Sequence, residues 1–310
     1  MPEIVISEFL DETAIASILK GRDVLYDPKL VDEPARLHAA LKDARAIVVR
    51  NRTQVRGALL DAAPQLCVVG RLGVGLDNID MDACKARGIE VFPATGANDI
   101  AVAEYVIAAA MILVRRAYAS SADVAAGLWP RGALIGGEVY GKTLGLVGYG
   151  AIARMTAARA RALGMEIAAY DPYLPASDAH WSGVRSLPLH ALLAEADIVS
   201  LHTPLTKETR HMIGAAAIAG MKRSAILINA ARGGVVDEGA LASALKEGRI
   251  AGAALDVFEE EPLGPASGAK FAGLNNVVLT PHIAGVTEES NVRVSRVTLE
   301  NVATALARRR

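Results

Sequence analysis

Short apolar runs recur along the chain, and between them apolar and polar positions follow a helical period. In the first third, EIVIS (3–7), DVLYD (23–27), AIVVR (46–50), LCVVG (66–70) and EVFP (90–93) read as strands. Runs that are apolar on both faces suit parallel strands covered by helices, so an open parallel sheet is expected here. A long helical pattern follows from about Asp99 to Ser120, with Asn98 as its N-cap. GLWPRGALIGGEVYGK (127–142) is too rich in Gly to be an element and reads as a loop. A second series opens at Thr143. TLGLVG, EIAAYD, DIVSLH, AILINA, GAALDV and VVLT read as six strands, enough for a dinucleotide-binding sheet. Thr287 to Arg308 reads as a terminal helix.

The fold expected from this pattern is α/β with two Rossmann-like domains. Residues 1–97 and 287–310 form a smaller, flavodoxin-like substrate domain, and residues 98–286 form a doubly wound parallel sheet of the dinucleotide-binding kind. Ligands are expected in the cleft between them, at the carboxyl ends of the strands.

Composition narrows the function classes. The chain is 52% hydrophobic but only 4% aromatic, which fits Ala/Val/Leu/Ile layers. A net charge of -1 leaves no basic surplus for neutralising phosphates, so nucleic acid is not expected as a partner. The tail Arg308-Arg309-Arg310 reads as a solvated end. Two cysteines indicate no disulfide framework, and Cys67, inside LCVVG, reads as a small core residue. MPEIVISEFL lacks a signal-peptide layout, and the apolar stretch from Ile100 to Val114 contains Glu104 and is too short for a bilayer. A cytoplasmic protein without membrane partners is expected.

The strand TLGLV runs into Gly148-Tyr149-Gly150-Ala151-Ile152-Ala153, a G-x-G-x-x-G/A fingerprint with an Ala-rich helix behind it. Gly148 permits the turn, Gly150 admits the pyrophosphate, and Ala153 lets helix and strand pack closely. The helix N-terminus then offers amides and a positive dipole to the phosphates. EIAAYDP ends in Asp171, where a carboxylate accepts from a ribose 2′-hydroxyl and repels a 2′-phosphate, favouring NAD.

Three later segments stand at strand ends: NAARGG (229–234), DVFEEEP (256–262) and TPHIAG (280–285). Singly, an Arg beside glycines is ordinarily a surface turn, a Glu run a solvated face, and a His after Pro a structural residue. After consecutive strands of one open sheet, Arg232, Glu261 and His282 can converge. Arg232 can hold a carboxylate and polarise a carbonyl, and His282 can give the carbonyl oxygen its proton. Glu261 can fix the tautomer of His282 and favour its charged form. This chemistry needs no metal.

With these residues in place, the sequence resembles the D-isomer-specific 2-hydroxyacid dehydrogenases over nearly its whole length. The likeness rests on the fingerprint with Asp171, on LHTPLT (201–206), NAARGGVVDE (229–238) and LDVFEEEP (255–262), and on TPHIAG. It implies that Arg232, Glu261 and His282 are the catalytic trio. It also implies that His202, Thr203, Pro204, Ala230, Asp256 and Gly285 border the cofactor, with Asp256 near the carboxamide and Thr203 and Pro204 near the adenine end. Val74 and Gly75 are then expected to offer amides to the substrate carboxylate. A homodimer through the long helix and following loop is implied too. Ala153 and Val286 depart from the commonest family residues. Glu261, where the related formate dehydrogenases carry Gln, argues against formate. The chain stops soon after His282, so the regulatory domain frequent in phosphoglycerate dehydrogenases is not expected.

Arg50, Asn51 and Arg52 follow AIVV, and Arg71 follows LCVVG. Arginines beyond Arg232 point to a second anionic group on the substrate. ISEF, VRNRT, RLGVGLDNID and HIAGVTEESN are similar to the (S)-sulfolactate dehydrogenases within the family, which implies a terminal sulfonate. Sulfur priority in the naming rules makes that S centre D-like. Alternatives are a D-3-phosphoglycerate dehydrogenase, a phosphite-type dehydrogenase, and an NAD-sensing corepressor-like binding protein.

Overall fold

The computed structural model describes residues 2–309, so Arg310 of the basic tail lies outside the described residues. The chain divides into two compact units. One takes the described residues up to Asn98 and from Val286 onward, and the other is Asp99–Gly285.

The first unit holds five strands: β1 (Ile4–Ile6), β2 (Val24–Tyr26), β3 (Ala46–Val49), β4 (Val68–Arg71) and β5 (Glu90–Pro93). All pair in parallel, in the flavodoxin-like order β2-β1-β3-β4-β5. Each coincides with an apolar run named above. Alternate side chains feed two cores. Ile4, Ile6, Val48 and Val68 meet Leu299, Val302 and Leu306 of the helix Glu288–Arg308. Val5, Ile47, Val49 and Val69 meet Leu37, Leu41 and Leu60 on the other face. The helix lies so close that a Cβ on Gly70 would stand 2.6 Å from Val302 Cγ2. Its start is held by a capping box between Thr287 and Ser290.

The second unit has seven parallel strands where the apolar pattern indicates six. They are β6 (Thr143–Val147), β7 (Glu166–Tyr170), β8 (Arg185–Ser186), β9 (Ile198–Leu201), β10 (Ile226–Asn229), β11 (Gly252–Leu255) and β12 (Val277–Leu279). Their order is β12-β11-β10-β9-β6-β7-β8. The additional β8 is two exposed residues at the sheet edge and carries no apolar run to reveal it. Strand order reverses between β6 and β9, where the carboxyl ends open a crevice in sheets of this kind.

Four local expectations need correction. The long helix ends at Arg115, because Arg116 turns left-handed at φ 60°, and a 3-10 turn follows at Ala117–Ser120. Asn98 Oδ1 is buried without a hydrogen-bond partner and therefore caps nothing. Cys67 packs against the first unit's core but is only partly buried, donating to Arg45 O, whereas Cys84 is the fully buried thiol. Arg309 is not merely solvated, since it pairs with Glu90 and donates to Gly88 O. Among the described residues no helix is long and apolar enough to cross a membrane.

Candidate active site

The nucleotide loop is built where β6 meets the helix Ala151–Ala162. Gly148 sits at φ 88°, and a Cβ there would lie 2.7 Å from His202 O, so the turn accepts only glycine. Gly150 is the helix N-cap, and a Cβ built on it meets nothing within 4 Å, which leaves open space before the first amides. Ala153 is fully buried. Asp171, just past β7, accepts from the Tyr149 amide at 2.8 Å and the Tyr173 amide at 2.9 Å. Its carboxylate therefore braces the fingerprint as well as ending the second strand. The Tyr149 side chain turns into the core and stacks on Trp181 at 5.5 Å, so this residue faces the loop only through its backbone.

Past β9, the His202 imidazole bonds Ser200 Oγ at 2.9 Å, and the protein packed around it pushes its pKa down to about 4. Beside it, Thr203 Oγ1 is buried without a partner. A spare hydroxyl next to a turn that a Cβ would fill, with open space before a helix N-terminus, fits a dinucleotide.

Three loops then follow β10, β11 and β12. Asn229, 1% exposed, takes the Ala231 amide on Oδ1 and donates to Arg232 O, folding the turn that carries Arg232. Arg232 Nη1 donates to Ala231 O at 2.5 Å. Gly233 lets this turn press on the next loop, since a Cβ would fall 1.7 Å from Phe258 O. In the next loop the three exposed glutamates have separate partners. Glu259 accepts from the Glu238 amide, Glu260 from Ser267, and Glu261 from the Phe258 amide at 3.0 Å and from His282. Glu238, 2% exposed, returns the bond to the Glu259 amide at 2.6 Å and pairs with Lys270.

Asp256 organises the third loop. It is 1% exposed, and its carboxylate accepts from Thr280 Oγ1 at 2.6 Å and from the amides of Ile283 and Ala284, both at 2.8 Å. Its carbonyl takes the His282 amide at 2.8 Å. Because Thr280 spends its proton on Asp256, Tyr105 of the long helix must donate to Thr280 Oγ1, at 2.6 Å. These bonds hold His282 at φ 53°, a conformation non-glycine residues seldom adopt. The result is a pair: His282 Nδ1 and Glu261 Oε2 lie 2.7 Å apart. Burial alone would raise the Glu261 pKa. The bond and charge of His282, the Phe258 amide and the charge of Arg232 outweigh it and hold the carboxyl below its ordinary value. With Nδ1 on the carboxylate, Nε2 is left for a substrate oxygen.

In the first unit the expected substrate residues differ in their surroundings. Arg50 is buried, bonds Asn291 Oδ1 and lies under the Phe9 ring. Arg52 is exposed and paired with Asp32, and Asn51 is exposed beside it. Arg71 turns Nη1 onto Leu72 O at 2.8 Å, over Gly73. Among the described residues the amides of Val74 and Gly75 donate to no backbone carbonyl. Sequence reasoning passed over Glu238 and Thr280, although both stand inside quoted motifs. Phe9 and Asn291 also stand inside quoted segments, ISEF and HIAGVTEESN, without having been singled out, and Tyr105 had no signal; their roles arise from contacts distant in the chain.

The family described as D-isomer specific 2-hydroxyacid dehydrogenase, NAD binding domain, matches residues 107–284. The chain is 52% identical to an (S)-sulfolactate dehydrogenase of Chromohalobacter salexigens, covering 99% of both chains. It is 41% identical to a D-3-phosphoglycerate dehydrogenase of Methanocaldococcus jannaschii, covering 99% of this chain but 58% of that relative's length. The D-lactate dehydrogenase of Aquifex aeolicus, solved with NAD and lactic acid, superposes with a TM-score of 0.85 at 31% identity, covering 98% of this chain and 95% of that one.

Proposed function

The chain belongs to the D-isomer-specific 2-hydroxyacid dehydrogenases, NAD-dependent oxidoreductases of small anionic 2-hydroxy and 2-keto acids, and on that premise we propose that Arg232, Glu261 and His282 carry its reaction. The carrying observation is the 2.7 Å contact of Glu261 with His282 Nδ1, on a loop that Asp256 locks from below. NAD, when bound, supplies the site that takes or returns the hydride. Arg232 holds the substrate carboxylate and stabilises charge growing on the carbonyl oxygen. His282 Nε2 delivers the proton to that oxygen in reduction and removes it in oxidation, while Glu261 steadies the imidazolium.

For the cofactor, we assign the fingerprint Gly148, Tyr149, Gly150, Ala151 and Ile152 to the pyrophosphate and Asp171 to the ribose. His202, Thr203, Pro204, Ala230, Asp256 and Gly285 complete its lining. The amides of Val74 and Gly75 are assigned to the substrate carboxylate. Among the arginines of the first unit we place the distal anion on Arg50, the one that is buried without a carboxylate partner. Asn51, Arg52 and Arg71 then frame the loops around it.

The likeness to a sulfolactate dehydrogenase over the full length of both chains favours (S)-sulfolactate and 3-sulfopyruvate as the substrate pair. The test is NAD-linked oxidation of (S)-sulfolactate, D-3-phosphoglycerate, D-lactate and phosphite by the purified protein. Sulfolactate should give the highest kcat/KM. A higher value for any of the other three would reject the assignment. We further propose a homodimer working in the cytoplasm. Met111, Ile112, Tyr118, Val124, Leu128, Trp129 and Ile135 are exposed within one stretch of the second unit, an apolar surface suited to a second copy.

A further inference from the structure

We propose that Phe9 and Asn291 set Arg50 as the receptor for a singly charged, weakly hydrated oxyanion, and so make this site take a terminal sulfonate in preference to a phosphate. The inference rests on the reading of Arg50 as the distal-anion residue.

Arg50 is only 8% exposed, yet its partners are neutral. Nη2 donates to Asn291 Oδ1 at 2.5 Å, and Nε is buried without a hydrogen-bond partner. The guanidinium carbon lies 3.8 Å from the centroid of the Phe9 ring. The neighbouring acid, Glu8, is 4% exposed and directs its oxygens at the amides of Arg50 (2.8 Å), Thr53 (3.0 Å) and Arg52 (3.2 Å). It therefore shapes the loop and makes no direct ion pair with the guanidinium. Burial pushes the Arg50 pKa down to about 10, the mark of a cation stripped of water. The charge of Glu8 favours the cation from a distance, but a buried charge with no directly paired counter-ion stays costly unless an anion completes it.

The same contacts limit which anion fits. Phe9 covers one guanidinium face, so water cannot share the load there, and the ring's quadrupole already stabilises the cation. A phosphate monoester brings a charge of about −1.5 to −2 near neutral pH and a larger dehydration cost. Binding it well calls for a second unencumbered cation. Arg52 is tied to Asp32, and Arg71 is folded onto its own loop at Leu72 O. A sulfonate carries one charge and presents tetrahedral oxygens to the guanidinium edge.

The experiment measures kcat/KM for (S)-sulfolactate, D-3-phosphoglycerate and D-lactate in the wild type and in Phe9→Ala, Phe9→Tyr, Asn291→Ala and Arg50→Ala. Phe9→Ala and Asn291→Ala should each lower the sulfolactate-to-phosphoglycerate ratio about tenfold, within the range of a desolvated cation–π contact, and Phe9→Tyr should restore it. If Arg50→Ala leaves the sulfolactate-to-lactate ratio unchanged, the reading of Arg50 itself fails. If that ratio drops in Arg50→Ala while Phe9→Ala and Asn291→Ala change all three substrates equally, only the present inference fails, and Phe9 and Asn291 are structural.

Discussion

At the scale of single residues, the proposed reaction depends on a proton held at one nitrogen of His282. His282→Ala should lower the reductive kcat by roughly 10²–10⁴-fold while NAD binding, followed by fluorescence titration, stays near the wild-type value. Glu261→Gln removes the negative charge that steadies the imidazolium, so the reductive rate should fade at lower pH than in the wild type. An unchanged pH–rate profile in Glu261→Gln would remove Glu261 from the mechanism. His202 makes a separate prediction about stability. Its pKa is about 4 in the folded chain, below the ordinary 6.5, so the unfolded chain binds the proton more readily. The contribution is complete above pH 6.5 and declines as pH falls from 6.5 toward 4, costing up to about 3 kcal/mol. Urea midpoints across that window should fall less steeply in His202→Gln. Equal slopes in the two proteins would mean that His202 titrates normally.

At the scale of elements, the site is three loops clamped to one another, and this clamping was only partly legible in the sequence. Among the described residues the apolar runs revealed eleven of the twelve strands, because buried parallel strands must be apolar on both faces. The short β8 escaped because an exposed edge imposes no such demand. Arg232, Glu261 and His282 were legible as types at strand ends. The reciprocal bonds between Glu238 and Glu259 and the Tyr105–Thr280–Asp256 relay were not, since each joins residues from separate elements. The Glu run is exposed, as its composition indicates, but its hydrogen-bond partners were not legible because they lie outside the run. Gly233 shows the consequence of the clamp. A methyl group there would stand 1.7 Å from Phe258 O, so the Arg232 turn and the Glu261 loop would have to separate. Gly233→Ala should therefore lower kcat by about 10²-fold, as displacements near 1 Å do, with the circular dichroism spectrum retained. Wild-type turnover in Gly233→Ala would show that the two loops move apart without consequence.

At the scale of the whole molecule, the apolar stretch that follows the long helix calls for a cover. Leu128 is 57% exposed, Trp129 75% and Ile135 78%, all within the segment from 127 to 142, which forms no helix or strand. Scattered exposed apolar residues are ordinary, but a run of large ones within one segment marks an interaction surface. A two-fold axis would place this segment against its own copy, so that each side chain hidden on one subunit is hidden on both. Buried aromatic residues dominate such contacts, and removing one from the centre commonly costs 2 kcal/mol or more. Trp129→Glu with Leu128→Lys would put charges into that centre on both subunits at once. Sedimentation equilibrium should show the unaltered protein at twice the chain mass of 32.4 kDa and the double variant at the single-chain mass. The variant should also lose thermal stability that the wild type gains as its concentration rises, because association favours only the folded chain. A wild type that sediments as a monomer, with a melting temperature independent of concentration, would reject the homodimer.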